Sequence, residues 1–240
     1  MSSTPRTKPQ VRLEPITEAD LPELAAGNLD AFPTFYDPLE PESRRPPHDV
    51  RVRRFAHRLK SVVSSPHVLA TKAVLASSPS ASSGPDDDDG DNKQGSLVAI
   101  ALWHRPGAPV RNTKRRNLLG DAPEGETKED REAWEHVDLE AWEKVWREWD
   151  EVRESVMGDT PHWYLVPIWV KPAYQGLGIG KALMQQVIDL CDAQSPPTPI
   201  YLEADKRGKP LYEKLGFVEV GESEYVEMVR YNKEGTRPLP

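Results

Sequence analysis

The chain has 240 residues, of which 37% are hydrophobic, with 24 prolines and 15 glycines, enough apolar material for one good-sized core joined by long connections. Its net charge of −8 argues against a nucleic-acid binder, whose affinity rests on neutralising phosphates, and no run approaches the roughly 18 apolar residues of a membrane span. The start, Met1 to Lys8, is polar with no apolar stretch behind it, and the one cysteine, Cys191, can make no internal disulfide, so a cytoplasmic setting is expected.

In chain order, residues 1–9 are expected to be flexible and 10–234 to form one domain, with a frayed tail at 235–240. Val11 to Pro15 alternates apolar and polar residues as a strand does. The next segment opens with Thr17 followed three residues later by Asp20, a cap for a helix running towards Phe32. Val50 to Val63 is a second helical pattern, basic on its outer face, and His67 to Leu75 is a strand. Residues 77–96 hold Ser, Gly, Pro and five aspartates, too little apolar area to offset their ordering entropy, and are expected to be a disordered hairpin loop. Ser96 to His104 is the partner strand.

Residues 105–160 are too long for a simple connection and form an acidic, Trp-rich helical insertion. Residues 121–160 alone carry fifteen acidic and five basic side chains. The basic run Arg111 to Arg116 precedes them and is expected to be a solvated loop. Trp142, Val145, Trp146, Trp149, Val152 and Val156 recur at three- and four-residue intervals, a helical stripe. Such a stripe is ordinarily core; a lid or substrate-facing wall is the alternative. From His162 the pattern becomes strand (His162 to Val170), loop, helix (with Ala182, Leu183, Val187, Ile188 and Cys191 on one face), strand (Pro199 to Asp205), short helix (Pro210 to Gly216) and two final strands.

The loop Gln175-Gly176-Leu177-Gly178-Ile179-Gly180-Lys181 lies between a strand and a helix. Glycines let successive backbone N–H groups converge, and the helix start adds its positive dipole end, together a cradle for a diphosphate. Lys181 can add a charge or face solvent. A dinucleotide fold also uses a glycine loop, and Glu203, 23 residues after Gly180, mimics its ribose-binding acid. That fold wants G-x-G-x-x-G at the strand end, whereas here the spacing is G-x-G-x-G and four residues separate Val170 from Gln175.

Val170-Lys171-Pro172 followed by Gln175 to Gly180 resembles the V-x-P and Q/R-x-x-G-x-G/A signature of the GCN5-related N-acetyltransferase (GNAT) superfamily. Leu211-Tyr212-Glu213-Lys214-Leu215-Gly216-Phe217 resembles its second signature, L-Y-x-x-x-G-F. The resemblance covers roughly residues 160–220, with residues 10–104 fitting only by element order. It implies an α/β fold: a mixed, mostly antiparallel sheet of six or seven strands flanked by helices, with a splayed central strand pair. It also implies an acyltransferase that takes acetyl-CoA as cosubstrate and no metal. The Ile168 N–H would meet the acyl carbonyl, the Val170 backbone would pair with the pantetheine amide, and the amides from Gln175 to Lys181 would hold the diphosphate. Tyr212 matches the general acid that protonates the departing thiolate.

The general base is left open. Tyr164 stands where relatives place a glutamate or histidine. His162 shares its strand face and titrates near neutrality. Glu203 and Asp205 lie on one face of the neighbouring strand, with orientation of the adjacent loop as their plainer role. Cys191 fits a small buried hydrophobe. The expected acceptor is a primary amine of a small molecule, cationic if the acidic insertion borders the cleft. A protein or peptide amine and a non-catalytic acyl-CoA sensor are the alternatives. No nucleic-acid or membrane partner is expected, and the chain is expected to be a monomer or homodimer.

Overall fold

The computed structural model describes residues 9–76, 95–108, 127–221 and 226–232. The expected flexible N-terminus, the core of the acidic 77–96 loop, the Arg111 to Arg116 run and the 235–240 tail lie outside the described residues.

Among the described residues seven strands form one sheet: β1 (Val11–Pro15), β2 (Val68–Leu75), β3 (Leu97–His104), β4 (Trp163–Val170), β5 (Ile200–Ala204), β6 (Val218–Glu219) and β7 (Val226–Arg230). Their order is β1-β2-β3-β4-β5-β7-β6, and every neighbouring pair is antiparallel except β4 and β5. The expected sheet is thus present with seven strands. All eight residues of β3 are buried, because helices cover both faces of the sheet at its centre.

On one face lie α1 (Leu21–Ala31), α2 (Pro33–Leu39), α3 (His48–Val63) and the insertion helices α4 (Lys128–Trp134) and α5 (Leu139–Met157). On the other lie α6 (Ile179–Asp192) and α7 (Lys209–Lys214). Thr17 and Asp20 exchange hydrogen bonds as expected, with the Thr17 N–H donating to the Asp20 carboxylate at 2.7 Å, and so cap the turn that leads into α1. Asp138 caps α5 by accepting from the Ala141 N–H at 3.0 Å, and Gly158 at φ 53° ends it.

The tryptophan stripe is core. Trp142 and Trp146 are fully buried against Phe35, Tyr36, Phe55 and Trp134. The insertion is also held by buried ions. Glu40 is wholly enclosed and pairs with Arg51, with Arg58 at 3.1 Å and with His136 at 3.5 Å, while the Arg58 guanidinium stands 5.0 Å from the Trp134 ring centre. Burial raises the Glu40 carboxyl, but hydrogen bonding to His136 and the charges of Arg58 and Arg51 outweigh it and hold the group at about 2. On the opposite face, Arg230 of β7 makes a two-pronged bond to Asp192 at 2.8 and 3.0 Å, tying the end of α6 to the sheet.

Candidate active site

The site starts from an irregularity in β4. Ala101 of β3 faces Ile168 and Trp103 faces Leu165, so β4 carries one residue more than its partner, a bulge containing Val166 and Pro167. Proline suits this place because it has no N–H to offer a ladder. On its other side β4 pairs with β5 only from Trp163 to Leu165, opposite Ile200 to Leu202. Beyond Leu165 the two parallel strands separate, which is the expected splay.

Backbone alternation then fixes which amides face the opening. The Lys171 N–H donates to the Val98 carbonyl of β3 at 2.9 Å. Successive N–H groups of a strand point to opposite sides, so those of Val170 and Ile168 point away from β3 and into the gap beside β5. Both residues expected to bind the cofactor through their backbones thus have their donors on the open edge.

At the end of β4 the Gln175 side chain donates to the Val170 carbonyl at 3.0 Å, folding the loop back against the strand. Gly176 and Gly178 have φ of 76° and 82°, left-handed conformations that strain any residue with a Cβ. The first helical bond of α6 runs from the Ala182 N–H to the Gly178 carbonyl at 3.1 Å. The N–H groups of Gly178, Ile179, Gly180 and Lys181 therefore have no partner within the helix, and they converge with its positive end. Leu177 packs against the same apolar cluster as Ile168 and Val170 do, and Lys181 is exposed.

Tyr212 of α7 belongs to the same apolar cluster as Ile168, Val170 and Leu177, its ring 5.8 Å from that of Phe217. Burial, with the nearby Asp205 carboxylate, raises its hydroxyl well above the usual tyrosine range. It is a neutral phenol at physiological pH, a proton donor rather than a base. Asp205 is exposed and accepts from the Gly208 N–H at 2.6 Å, so it shapes the turn before α7, the plainer of its two expected roles.

The remaining candidates meet on the other face of the sheet. The Tyr164 ring lies 5.7 Å from that of Tyr201, and Glu203 stands two residues beyond Tyr201 on the same face of β5. Both tyrosine hydroxyls and both Glu203 carboxylate oxygens are shielded from solvent, and the two hydroxyls act on Glu203 as hydrogen-bonding neighbours. Burial pushes the Glu203 carboxyl up to about 8, against the downward pull of Tyr164, Tyr201 and Arg153. The Tyr164 and Tyr201 hydroxyls are raised by burial and by Glu203.

His162, at the entrance to β4, places Nδ1 2.7 Å from the Thr160 carbonyl. A carbonyl only accepts, so Nδ1 carries the proton and Nε2 the lone pair. Burial chiefly, and the Arg153 charge further, hold its pKa below the usual value, while the Thr160 bond opposes them. His162, Tyr164, His104, Arg105 and Arg153 line a cavity of about 180 Å³ with the 158–161 turn. The expectation of a cationic acceptor depended on acidic side chains bordering the cleft. Asp159 is the acid lining this cavity among the described residues, and Glu148 and Glu151 are exposed and paired along α5 with Lys144 and Arg147.

Sequence patterning missed Arg153 and Tyr201. Tyr201 was legible from the period of two that puts it on the face of Glu203. Arg153 lies seven residues after Trp146, in register with the buried face of α5, but a charged side chain in an acidic helix gives no signal of burial.

Residues 154–233 match the family described as acetyltransferase (GNAT) domain. An uncharacterized N-acetyltransferase of Schizosaccharomyces pombe is 38% identical over 61 residues, a match covering 25% of this chain and 24% of that protein, so it spans about a quarter of the length of the curated relative. The crystal structure of a histone acetyltransferase HPA2 and related acetyltransferase from Corynebacterium glutamicum aligns over 93% of this chain and 96% of its own, with TM-score 0.50 and 22% identity. A further crystal structure, of an acetyltransferase, covers 91% of this chain and 97% of its own, with TM-score 0.52 and 16% identity. At these identities the two structures show a shared fold.

Proposed function

We propose that this chain, which belongs to the GCN5-related N-acetyltransferase superfamily through residues 154–233, transfers an acyl group, acetyl foremost, from acyl-CoA to a primary amine of a small molecule. The observation that carries this reading is the open edge of β4. Two backbone donors, of Ile168 and Val170, face a gap that ends at a helix start led by two left-handed glycines. A pantetheine arm can add to that edge as a strand would, and the diphosphate meets the amides of Gln175 to Lys181. The bound acetyl-CoA supplies a thioester.

The chain's residues then divide the work of a direct transfer. The amine nitrogen bonds to the thioester carbonyl carbon while the Ile168 N–H holds the oxygen on which charge develops. As the carbon–sulfur bond breaks, the Tyr212 hydroxyl gives its proton to the thiolate. The amine proton leaves through Tyr164, which spans from the cavity to Glu203, and the Glu203 carboxylate receives it. A base near 8 is better matched to an ammonium than an ordinary carboxylate. His162 is the second reading, favoured by its place in the cavity lining and by the lone pair left on Nε2.

The cavity of about 180 Å³ admits a slender amine arm and is smaller than the few hundred Å³ of a drug-sized site. A thiol-release screen of small amines and peptides with acetyl-CoA and longer acyl-CoAs tests the proposal. Release of free CoA with at least one small primary amine is expected. Release only with peptides would move the acceptor to a protein amine, and saturable CoA binding without release from any acceptor would leave a sensor.

A further inference from the structure

Arg153 lies one residue before the span that matches the family, on a helix that belongs to the insertion. It is 3% exposed, and its guanidinium carbon stands 4.1 Å from the centre of the Tyr164 ring. One bond to Asp150 of the same helix, at 3.3 Å, tethers it, and its Nε has no hydrogen-bond partner. Taking a guanidinium out of water costs several kcal/mol, and one long bond returns little of that. Packing alone would have been better met by an apolar side chain. The Tyr164 ring it covers lies 5.7 Å from that of Tyr201, and both tyrosines and Arg153 act on the Glu203 carboxyl, whose oxygens are shielded from solvent.

We propose that Arg153 is a positioning residue of the acyl-transfer site: its planar cation holds the Tyr164 ring in place and lets Glu203 carry a negative charge inside the protein. The inference rests on the acyl-transfer reading and adds that the insertion completes the site. The groups that face this centre come from every neighbouring element. α5 brings Asp150, β4 brings His162 and Tyr164, and β5 brings Tyr201 and Glu203. His104 of β3 meets Tyr164 edge-on at 5.4 Å, and Glu227 of β7 acts on Tyr201. Among the described residues acting on Glu203, Arg153 is the cation, so its removal should make ionisation of Glu203 harder.

The test compares wild type with Arg153→Met, which keeps length and loses charge, and Arg153→Lys, which keeps charge and loses the flat face. Glutamate labelled with ¹³C at the carboxyl follows the titration directly, with the Glu203 signal assigned by its loss in Glu203→Gln. The Glu203 midpoint should rise by roughly one unit or more in Arg153→Met. The ascending limb of kcat/KM against pH should move upward by the same amount, with KM for acetyl-CoA unchanged. Arg153→Lys should keep the wild-type midpoint yet lower kcat, because the ring is no longer held. Arg153→Gln replaces the Met variant if that variant does not fold. An unmoved midpoint in a folded, neutral variant, or a Lys variant shifted as far as the Met one, would overturn the inference. A wild type without transfer at any pH would instead remove the acyl-transfer reading, and the midpoint difference would still decide the charge effect.

Discussion

Glu203 and Tyr212 sit on opposite faces of the sheet, and their environments suit opposite tasks. Both have their protonated forms favoured by burial, but only the carboxyl falls where it titrates near neutrality. Turnover should therefore rise with pH through about 8, the value set for Glu203 chiefly by burial; a limb below 6.5 would identify His162 instead. Glu203→Gln should abolish the limb and lower kcat/KM by roughly 10²–10⁴, the usual cost of losing a general base. Because the folded state raises the Glu203 pKa, its contribution to stability is full below its ordinary value of 4.5 and is lost as pH rises through about 8. Tyr212→Phe should keep acetyl-CoA affinity and lose turnover by a comparable factor, checked by calorimetry beside a steady-state assay. The positions of Ile168 and Val170 on the open edge of β4 and of Tyr212 on α7 were legible because sequence signatures fix backbone and helix positions. Tyr164, Glu203 and His162 could be named from strand faces, but the roles proposed for them depend on burial that one sequence does not encode.

At the scale of elements, helix α1 is fitted to the sheet by an absence. A Cβ on Gly27 would come within 2.2 Å of the Trp169 ring of β4. In an exposed helix Gly→Ala stabilises by about 1 kcal/mol; here the sign should reverse, with Gly27→Ala destabilising by roughly 1–3 kcal/mol in chemical denaturation. The buried ions give α2, α3 and the insertion a shared dependence on acid. Since Glu40 is held at about 2, below the ordinary 4.5, its contribution is present above 4.5 and lost as pH falls towards 2. Glu40→Gln, which leaves buried Arg58 short of its carboxylate and Arg51 with that of Asp37 alone, should cost about 3–5 kcal/mol at neutral pH. Helix α2 was invisible to patterning because its segment carries Pro33 and Pro38, which ordinarily mark a loop. Proline is tolerated at its first turn, where the missing N–H would have had no helical partner. The helix of the insertion was legible from its tryptophans, whereas its attachment through Arg58 and Glu40 joins residues too far apart in the chain for any local period to connect.

Across the whole molecule, the sheet divides the work between its faces. α6 and α7 cover the face that would hold the carrier and its leaving thiolate, and the insertion covers the face where the acceptor would lose its proton. The alternation of strands and helices was readable from hydrophobic period and turn residues, and strand order was readable only through the resemblance, because pairing between distant strands leaves no local trace. Binding to the folded state alone should also stabilise the chain, by about 2.7 kcal/mol at one hundred times the dissociation constant. The grip of the β4 edge and the glycine turn on the carrier is measured most directly by calorimetric titration of the wild type and Gly178→Val with acetyl-CoA. Gly178 has φ 82°, so a β-branched residue there should distort the cradle while the sheet stays folded. One saturable site in the wild type, greatly weakened in the variant, is the predicted result; heat changes that never saturate with acetyl-CoA or any other CoA derivative would contradict it.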